Sequence, residues 1–150
     1  RTGVRVIIVH FDGLCLPRNP GGVGTYGFVV RRDDRILHEG RGLAGKPYHP
    51  STTNNVAEYT GVVKALEYLV EQKLTEEPVM ARGDSELVIK QLNGEYKVKS
   101  PNIAPLNARV RELFFRFKSL RFEWVPREQN KDADALTNLA YAEYRSARPG

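Results

Sequence analysis

The sequence contains a single cysteine, three histidines and no long apolar run, and each of these shortages excludes a class of protein. Because Cys15 has no second cysteine to pair with, an intramolecular disulfide is impossible. The three histidines do not have the spacing of zinc ligands. No apolar stretch is long enough to cross a bilayer, and no signal-peptide pattern is present. We therefore expect a cytoplasmic protein with no membrane partner.

The motifs of two common enzyme classes are missing as well. Gly21 and Gly22 could begin a phosphate-binding loop, but no Gly-Lys-Ser/Thr sequence and no helix start follows them. The chain also has no Gly-x-Ser-x-Gly motif and no catalytic cysteine environment. These absences exclude a nucleotide-binding P-loop and the usual forms of nucleophilic catalysis by serine or cysteine.

The length of 150 residues is enough for one domain that buries a core without disulfide or metal support. We assign a single domain to residues 1–150, with its core at 4–142 and a C-terminal tail at 143–150. The formal net charge is +5, and cations outnumber acids most clearly between Arg109 and Arg127. This excess favours a polyanionic partner, although a solvated helix face would show the same pattern.

The first predicted strand, from Val4 to Gly13, organises the rest of the chain. It is rich in β-branched and aromatic residues and is apolar on both faces, as expected of a strand in the middle of a sheet. It ends at Asp12-Gly13, and in open α/β sheets ligands bind in the crevice at the carboxyl ends of the strands. The alternative is that Asp12-Gly13 is only a turn signal.

The remaining pattern predicts the element order βββαβααβα. Leu14 to Gly22 reads as a loop, because proline and glycine are frequent there. The later strands are predicted at Gly24–Arg31, Ile36–Leu43, Pro78–Gly83 and Leu120–Val125. Helices are predicted from Thr53, from Ser85 to Asn93, from Ile103 to Phe117, and after a polar loop at Arg127–Lys131, with Leu136, Leu139 and Ala140 facing inward in the last helix.

Two acids are predicted at strand ends and a third at a helix edge. Because a helix separates the first and fourth strands, they should run parallel through a right-handed crossover, which makes Asp12 and Asp84 neighbours. Glu58 lies at the edge of the apolar stripe of the first helix, so its carboxylate should point along the sheet. A capping box between Asn55 and Glu58 would explain the same spacing equally well.

Asp132 and Asp134 lie at the start of the last predicted helix, where the helix dipole alone would favour acids. If these acids share one edge of the sheet, each raises the pKa of its neighbours, so the cluster needs cations to hold it together. Oxygen ligands without histidine or cysteine select Mg²⁺ or Mn²⁺. Two such ions in a carboxylate nest suit the attack of water on a phosphodiester.

Four motifs occur in an order that resembles a known family. They are Phe11-Asp12-Gly13 with Asn19-Pro20-Gly21-Gly22, then Thr53-Asn54-Asn55-Val56-Ala57-Glu58-Tyr59, then Gly83-Asp84-Ser85, and finally Asn130-Lys131-Asp132-Ala133-Asp134. In this order, with these intervening elements, they are similar to ribonuclease H, type 1, in the short form found in archaea and many bacteria. The resemblance covers residues 4–139.

The resemblance implies a ribonuclease H-like α/β fold, a five-stranded mixed sheet of three antiparallel and then two parallel strands, with helices on both faces. It implies an endoribonuclease that cuts the RNA strand of RNA/DNA hybrids with two Mg²⁺ or Mn²⁺ ions and leaves 3′-hydroxyl and 5′-phosphate ends. Asp12, Glu58, Asp84 and Asp134 would be the metal-binding and catalytic acids, with Asp134 preferred to Asp132 because it follows Ala133. The alternatives are another nuclease of the superfamily, such as a resolvase or a reverse-transcriptase domain, and a catalytically silent hybrid-binding module.

The resemblance also implies contacts to the substrate backbone. Amide and hydroxyl side chains suit RNA 2′-hydroxyl groups, which both donate and accept hydrogen bonds. By the resemblance, the substrate-binding residues are Asn19, Thr53, Asn54 and Asn55. Tyr96, Lys97 and Lys99 are added because an aromatic residue between cations suits stacking and phosphate contact, although plain surfaces show this pattern equally often. Arg127, which could hold a phosphate, and Asn130 complete the predicted set. The stretch from 124 to 130 lacks the histidine that many members carry, and the basic insertion of longer relatives is reduced to Lys97 and Lys99. We expect a monomer that binds RNA/DNA hybrid, with activity on duplex RNA left open.

Overall fold

The computed structural model describes residues 5–147 and places five strands and four α-helices in them. Val4, the predicted start of the first strand, lies outside the described residues, as do residues 148–150. The strands are β1 (Ile7–Leu16), β2 (Val23–Arg32), β3 (Arg35–Leu43), β4 (Val79–Gly83) and β5 (Leu120–Trp124). The helices are α1 (Asn54–Glu71), α2 (Glu86–Leu92), α3 (Ala104–Phe114) and α4 (Lys131–Ser146), with a 3₁₀ turn at Arg127–Gln129.

The five strands form one mixed sheet in the order β3-β2-β1-β4-β5. β1 pairs antiparallel with β2, and β2 with β3, whereas β4 runs parallel to both β1 and β5. The turn between β2 and β3 consists of Asp33 and Asp34, both with positive φ, as a two-residue hairpin turn requires. The predicted sheet is confirmed, including the parallel arrangement of the first and fourth strands.

α1 and α4 lie on opposite faces of this sheet. A Cβ atom added to Gly13 of β1 would meet Ala57 of α1, whereas one added to Gly27 of β2 would meet Ala133 of α4. Gly27 is paired with Asp12, so successive residues of β1 alternate between the two helices. Helices on both faces were predicted and are confirmed.

The main core lies between β1 and α1. Alternate residues of β1 and one stripe of α1 are fully buried against each other, and burial of each large side chain contributes about 1.5–3 kcal/mol. These residues are Ile7, Val9 and Phe11 of the strand and Tyr59, Val62, Leu66 and Leu69 of the helix. None of the helices within residues 5–147 combines the length and the apolar character that spanning a membrane requires.

Four predicted boundaries or orientations are wrong. β1 continues to Leu16, because its antiparallel pairing with β2 continues to Leu16 and Val23, so the loop begins only after Leu16. α3 ends at Phe114 because tight turn hydrogen bonds replace the helical ones after it. α4 extends to Ser146, beyond the expected start of the tail at 143. Leu139 is 45% exposed because the buried stripe of α4 follows Leu136, Thr137 and Ala140 instead.

Candidate active site

Three carboxylates meet where β1, α1 and β4 come together. Asp12, Glu58 and Asp84 each offer one oxygen, and these oxygens lie within 4.8 Å of one another. Asp12 is 7% exposed and Glu58 is 4% exposed, while Asp84 is half-buried. These three acids therefore lie close together, as predicted.

The position of Glu58 follows from a backbone contact between α1 and β1. A Cβ atom on Gly13 would lie 2.3 Å from the Glu58 nitrogen, and one on Gly61 would lie 3.1 Å from the Asp12 carbonyl oxygen. Only glycine allows the helix to approach the strand this closely at Gly13. The contact brings Glu58 of the helix beside Asp12 of the strand.

Glu58 does not close a capping box. The side chain of Thr53 caps α1 by accepting a hydrogen bond of 3.0 Å from the Val56 nitrogen. The Glu58 carboxylate is buried at the acidic cluster, and its Oε2 atom has no hydrogen-bond partner among the described residues. Of the two alternatives that the spacing allowed, the structure supports the one in which Glu58 points toward the other acids.

Asp84 lies directly after β4 and before α2. Ser85 caps α2 through a 3.2 Å hydrogen bond from the Val88 nitrogen, as predicted. The indole nitrogen of Trp124, in the neighbouring strand β5, donates to the Asp84 carbonyl oxygen at 3.1 Å. The Asp84 carbonyl group is thus held by β5, and its carboxylate takes part in the cluster.

The two acids at the start of α4 have different surroundings. Asp134 lies close enough to Asp12 for its charge to raise the pKa of Asp12. Asp132 forms an ion pair with Arg31 of β2 on the sheet surface. The preference for Asp134 over Asp132 as the fourth member of the cluster agrees with this arrangement.

Burial and mutual repulsion shift the protonation of the cluster. Burial, followed by the charge of Asp84, raises the pKa of Asp12 to about 7, although a hydrogen bond from the Gly13 nitrogen opposes the shift. Burial and the charges of Asp12 and Asp84 raise the pKa of Glu58 well above its usual range, and the Arg127 guanidinium lowers it. Holding all of these groups ionised therefore needs positive charge.

The residues present fit a divalent cation. Three carboxylates converge, and the buried Oε2 atom of Glu58 lacks a donor from the described residues. A hard cation such as Mg²⁺ or Mn²⁺ prefers ligands of this kind. Asp12, Glu58 and Asp84 could hold such an ion, with Asp134 at the edge of the cluster.

The loop after β1 and the start of α1 are joined by their asparagines. The Asn19 amide donates to the Asn54 Oδ1 atom at 2.9 Å, and the Asn54 backbone nitrogen donates to the Asn19 Oδ1 atom at 3.1 Å. The Gly21 nitrogen also donates to the Thr52 carbonyl oxygen at 2.9 Å. Asn19 and Asn54 therefore lie together beside the acids, and Asn55 is half-buried next to them.

The predicted cationic contacts lie on the surface. Tyr96, Lys97 and Lys99 are exposed and line a cavity of about 360 Å³ in the segment after α2, and the Lys90 ammonium lies 5.1 Å from the centre of the Tyr96 ring. Arg127 is exposed near Glu58. These four side chains are accessible to a ligand.

Asn130 does not fit the predicted role of substrate contact. Its residue is 1% exposed, and its Nδ2 atom donates to the Phe11 carbonyl oxygen at 2.9 Å. Because the side chain is buried between α4 and β1, it cannot touch a ligand on the surface. Its inclusion among the substrate-binding residues was wrong.

The comparisons with known proteins agree with this geometry. A family described as "Reverse transcriptase-like" matches residues 10–140. The bifunctional protein Rv2228c of Mycobacterium tuberculosis is 39% identical over 136 residues, which are 89% of this chain and 35% of that protein. The solved N-terminal RNase H domain of Rv2228c, fused to maltose binding protein, is 34% identical with a TM-score of 0.82, and the match covers 95% of this chain and 99% of that one.

The chain belongs to the ribonuclease H, type 1, family. Ribonuclease HI of Halobacterium salinarum is 36% identical over 131 residues, 87% of this chain and 62% of that protein. The structure of LC11-RNase H1 in complex with RNA/DNA hybrid is 34% identical with a TM-score of 0.82, covering 92% of this chain and 98% of that one. The chain thus spans about a third of Rv2228c and less than two thirds of the Halobacterium protein.

A protein of one predicted alternative class, the reverse transcriptases, has the same fold as this chain. The foamy virus protease-reverse transcriptase shares the fold with a TM-score of 0.61, but it is only 17% identical to this chain. The solved RNase H domain of Rv2228c and LC11-RNase H1 are each 34% identical to this chain. The resemblance expected from the four motifs is confirmed.

Sequence reasoning missed three features of this ribonuclease H site. Gly13 and Gly61 allow the close contact between β1 and α1, although the sequence indicated Gly13 only as a strand end, a turn residue or a motif member. Trp124 holds the Asp84 backbone. Gly61 lies three residues after Glu58, one turn along the same side of α1, and that spacing is the only sequence signal that could have indicated the contact.

The stability of the metal-free protein should increase as the pH falls from 8 to 5.5. The pKa of Asp12 is about 7 in the folded chain against 3.8 as its ordinary value, so the folded state binds this proton more tightly than the unfolded state does. The penalty for a charged Asp12 is complete above about pH 7 and is lost as the pH falls toward 4. In thermal unfolding with EDTA, we expect the melting temperature to be roughly 5 °C higher at pH 5.5 than at pH 8.

The Asp12→Asn variant is the control for this titration. It should reduce the pH dependence, because residue 12 no longer exchanges a proton, and the part that remains comes from Glu58. Addition of Mg²⁺ should stabilise the wild-type protein more at pH 8 than at pH 5.5, since the cation competes with protons for the same oxygens. A metal-free wild-type protein whose stability falls steadily from pH 8 to 5.5 would contradict the assigned direction.

Proposed function

We propose that this chain is a divalent-metal-dependent endoribonuclease that hydrolyses the RNA strand of RNA/DNA hybrids and leaves 3′-hydroxyl and 5′-phosphate ends. The observation that carries the proposal is the convergence of Asp12, Glu58 and Asp84, with the Glu58 Oε2 atom buried and without a donor from the described residues. A known hybrid-bound neighbour, LC11-RNase H1, supports the choice of substrate.

The proposed cofactor is a pair of Mg²⁺ or Mn²⁺ ions. Asp12, Glu58, Asp84 and Asp134 would hold them, because the first three converge and the charge of Asp134 acts on Asp12. None of the four has a cationic side chain as its hydrogen-bond partner among the described residues. Bound cations of this kind activate water and stabilise the charge that develops on a phosphodiester. The protein's part is to hold the carboxylates ionised and close together.

The proposed substrate contacts begin beside the acids. The amides of Asn54 and Asn55 lie at the start of α1 and would bind the 2′-hydroxyl groups of the RNA strand, assisted by Asn19 and Thr53. The exposed side chains of Tyr96, Lys97 and Lys99 would contact the backbone further along the hybrid. Activity on duplex RNA would follow if both strands could make these contacts.

A comparison of substrates tests the proposed function. RNA/DNA hybrid, duplex RNA, duplex DNA and each single strand are incubated with the protein, with Mg²⁺, with Mn²⁺ and with EDTA. We expect internal cleavage of the hybrid's RNA strand only with metal, and end-group analysis should show 5′-phosphates. Hybrid binding without cleavage under every metal condition would support the silent binding module, and cleavage of duplex DNA would support another nuclease of the superfamily.

The same protein preparation tests the proposed oligomeric state. We propose a monomer in a cytoplasmic setting. Size-exclusion chromatography with light scattering should give a mass close to 17.0 kDa. A stable dimer, with cleavage that depends on protein concentration, would contradict the monomer.

Replacement of Asn54 and Asn55 by alanine should weaken productive binding of the hybrid. The expected loss is on the order of 1–3 kcal/mol for the pair, because hydrogen bonds to the 2′-hydroxyls are removed. Duplex DNA has no such hydroxyls, so its binding should change little. Titration of both duplexes in Ca²⁺ measures the difference, and equal losses on both would show that the two amides contact only phosphate.

The loop before α4 offers Arg127 and Glu128 in place of the missing histidine. Arg127 is exposed and its charge reaches Glu58, but its guanidinium does not give up a proton at neutral pH. Arg127→Ala should therefore raise KM several-fold with a smaller effect on kcat, since the lost contact is one to phosphate. Glu128→Gln should change both constants little, because Glu128 is an exposed acid in solvent.

These adjacent substitutions act as controls for each other in steady-state kinetics. Similar thermal stability of the two variants would show that neither result comes from partial unfolding. A large fall in kcat for Glu128→Gln, with metal binding unchanged, would reverse the ranking and make Glu128 the proton carrier.

A further inference from the structure

Asn130 connects the two elements that carry Asp12 and Asp134. Its side-chain Nδ2 atom donates to the carbonyl oxygen of Phe11, the residue before Asp12, at 2.9 Å. Its own carbonyl oxygen accepts from the Asp134 nitrogen at 3.1 Å, in the first turn of α4. Asn130 thus bonds to β1 next to Asp12 and to α4 at Asp134.

The strand needs this bond at Phe11. The parallel pairing between β1 and β4 ends with His10 and Arg82, so Phe11 is the first residue of β1 beyond that pairing. A buried carbonyl group without a partner is costly. The Asn130 amide supplies a donor to it at the point where the two strands separate and the acidic cluster begins.

The helix does not explain the choice of side chain. Asn130 is the N-cap residue of α4, and asparagine is favoured at that position because its side-chain oxygen can accept from the first helical nitrogens. Here the side chain makes no capping bond. Its Oδ1 atom is buried without a hydrogen-bond partner among the described residues, so the side chain gives up the capping interaction and keeps only the bond to Phe11.

We propose that Asn130 is a positioning residue that fixes Asp134 relative to Asp12 and so sets the geometry of the divalent-cation site. This inference rests on the proposed function. The residue does not touch substrate, because it is 1% exposed. It acts through the placement of α4 on β1, and without it the start of the helix can move away from the strand.

Thr25 provides a matched control. Its hydroxyl donates to the Thr137 carbonyl oxygen at 2.8 Å and is fully buried, so it is also a side-chain bond between the sheet and α4. Its partner Thr137 lies three residues after Asp134 in α4, and Thr25 itself bonds to none of the four acids. The Thr137 hydroxyl donates to the Asp134 carbonyl oxygen, and this bond is kept when Thr25 is replaced. Thr25→Val removes this bond with almost no change in shape.

The experiment measures metal binding without substrate. The melting temperatures of wild type, Asn130→Ala, Asn130→Ser and Thr25→Val are recorded against Mg²⁺ and Mn²⁺ concentration. Serine is a strong N-cap residue but is too short to reach Phe11, so Asn130→Ser keeps the helix start while removing the connection. If Asn130→Ala does not fold, Asn130→Ser is used to test the proposal.

We expect the metal concentration at half-maximal stabilisation to rise about 10- to 100-fold in both Asn130 variants and to stay within about twofold of wild type in Thr25→Val. Cleavage by the Asn130 variants should show a lower kcat, partly restored by excess Mg²⁺, with the KM for hybrid little changed. The proposal would be overturned if a folded Asn130 variant needed the same metal concentration as wild type for half-maximal stabilisation. An equal shift in Thr25→Val would also overturn it, because any loosening of α4 would then suffice.

The wild-type protein separates this inference from the proposed function. If wild type is neither stabilised by Mg²⁺ nor able to cleave hybrid, the proposed function fails. If wild type does both and the Asn130 variants behave as it does, only the positioning role fails.

Discussion

Asp84→Asn is expected to reduce cleavage of RNA/DNA hybrid by on the order of 1,000-fold or more, while hybrid binding stays as tight or becomes tighter. The substitution removes a carboxylate from the group of three whose oxygens lie within 4.8 Å of one another. It also removes a negative charge from the surface proposed to bind the phosphates of the hybrid, which favours binding. Single-turnover cleavage and hybrid titration measure the two effects separately.

Folding of Asp84→Asn should be preserved or improved. The charge of Asp84 is among the causes that raise the pKa of Asp12 and Glu58, so its removal relieves repulsion in the metal-free protein. Stabilisation by Mg²⁺ should fall at the same time. Asp132→Asn is the control, since Asp132 pairs with Arg31, and its cleavage should stay near wild type. Multiple turnover by Asp84→Asn would remove the basis for the metal assignment.

Gly13→Ala should destabilise the protein by about 3 kcal/mol or more and abolish detectable cleavage. A Cβ atom there would lie 2.3 Å from the Glu58 nitrogen and 2.4 Å from the Ala57 carbonyl carbon, which are backbone atoms of a buried helix. Because neither can rotate away, α1 has to move off β1. That movement separates Glu58 from Asp12.

Gly42→Ala is the matched control for this substitution. Its added Cβ atom would lie 3.1 Å from the ring of Tyr26, a side chain that can shift, and the residue is on the edge strand β3. The free energy of unfolding of Gly42→Ala should remain within about 1 kcal/mol of the wild-type value. Its cleavage rate should remain within about twofold of wild type. Urea unfolding measures both variants, and a Gly13→Ala protein as stable as Gly42→Ala would show that α1 and β1 have room for the methyl group.

The sequence predicted the elements better than their ends. The order of the elements and the buried faces of the helices follow from the periodic spacing of apolar residues, which the sequence shows in every element. The end of β1 depends on its partner, because pairing with Val23 keeps Leu14 to Leu16 in the sheet after β4 has diverged. Asp12 therefore lies inside a strand, at the point where only one neighbouring strand remains, rather than at the strand's end.

The grouping of the acids was predictable from two independent signals: their positions at strand ends and a helix edge, and the preference of clustered carboxylates for hard cations. Glu58 had two explanations of equal weight, and they are separated only by the structure, in which Thr53 caps α1 and the contact at Gly13 brings Glu58 to Asp12. Asn130 shows the limit of motif reasoning. Its place in a motif indicated a site residue, but the motif does not show whether a side chain faces the ligand or the interior.

The joined loops beside the acids bear on the entropy of substrate binding. Asn19 and Asn54 bond to each other, and Gly21 bonds to Thr52, so the segment after β1 and the start of α1 already form one ordered surface. A hybrid that binds there has little chain to immobilise, which leaves more of the contact energy available for affinity. Asn19 would thereby influence the choice between ribose and deoxyribose by holding Asn54 in a fixed orientation, even without touching the sugar itself.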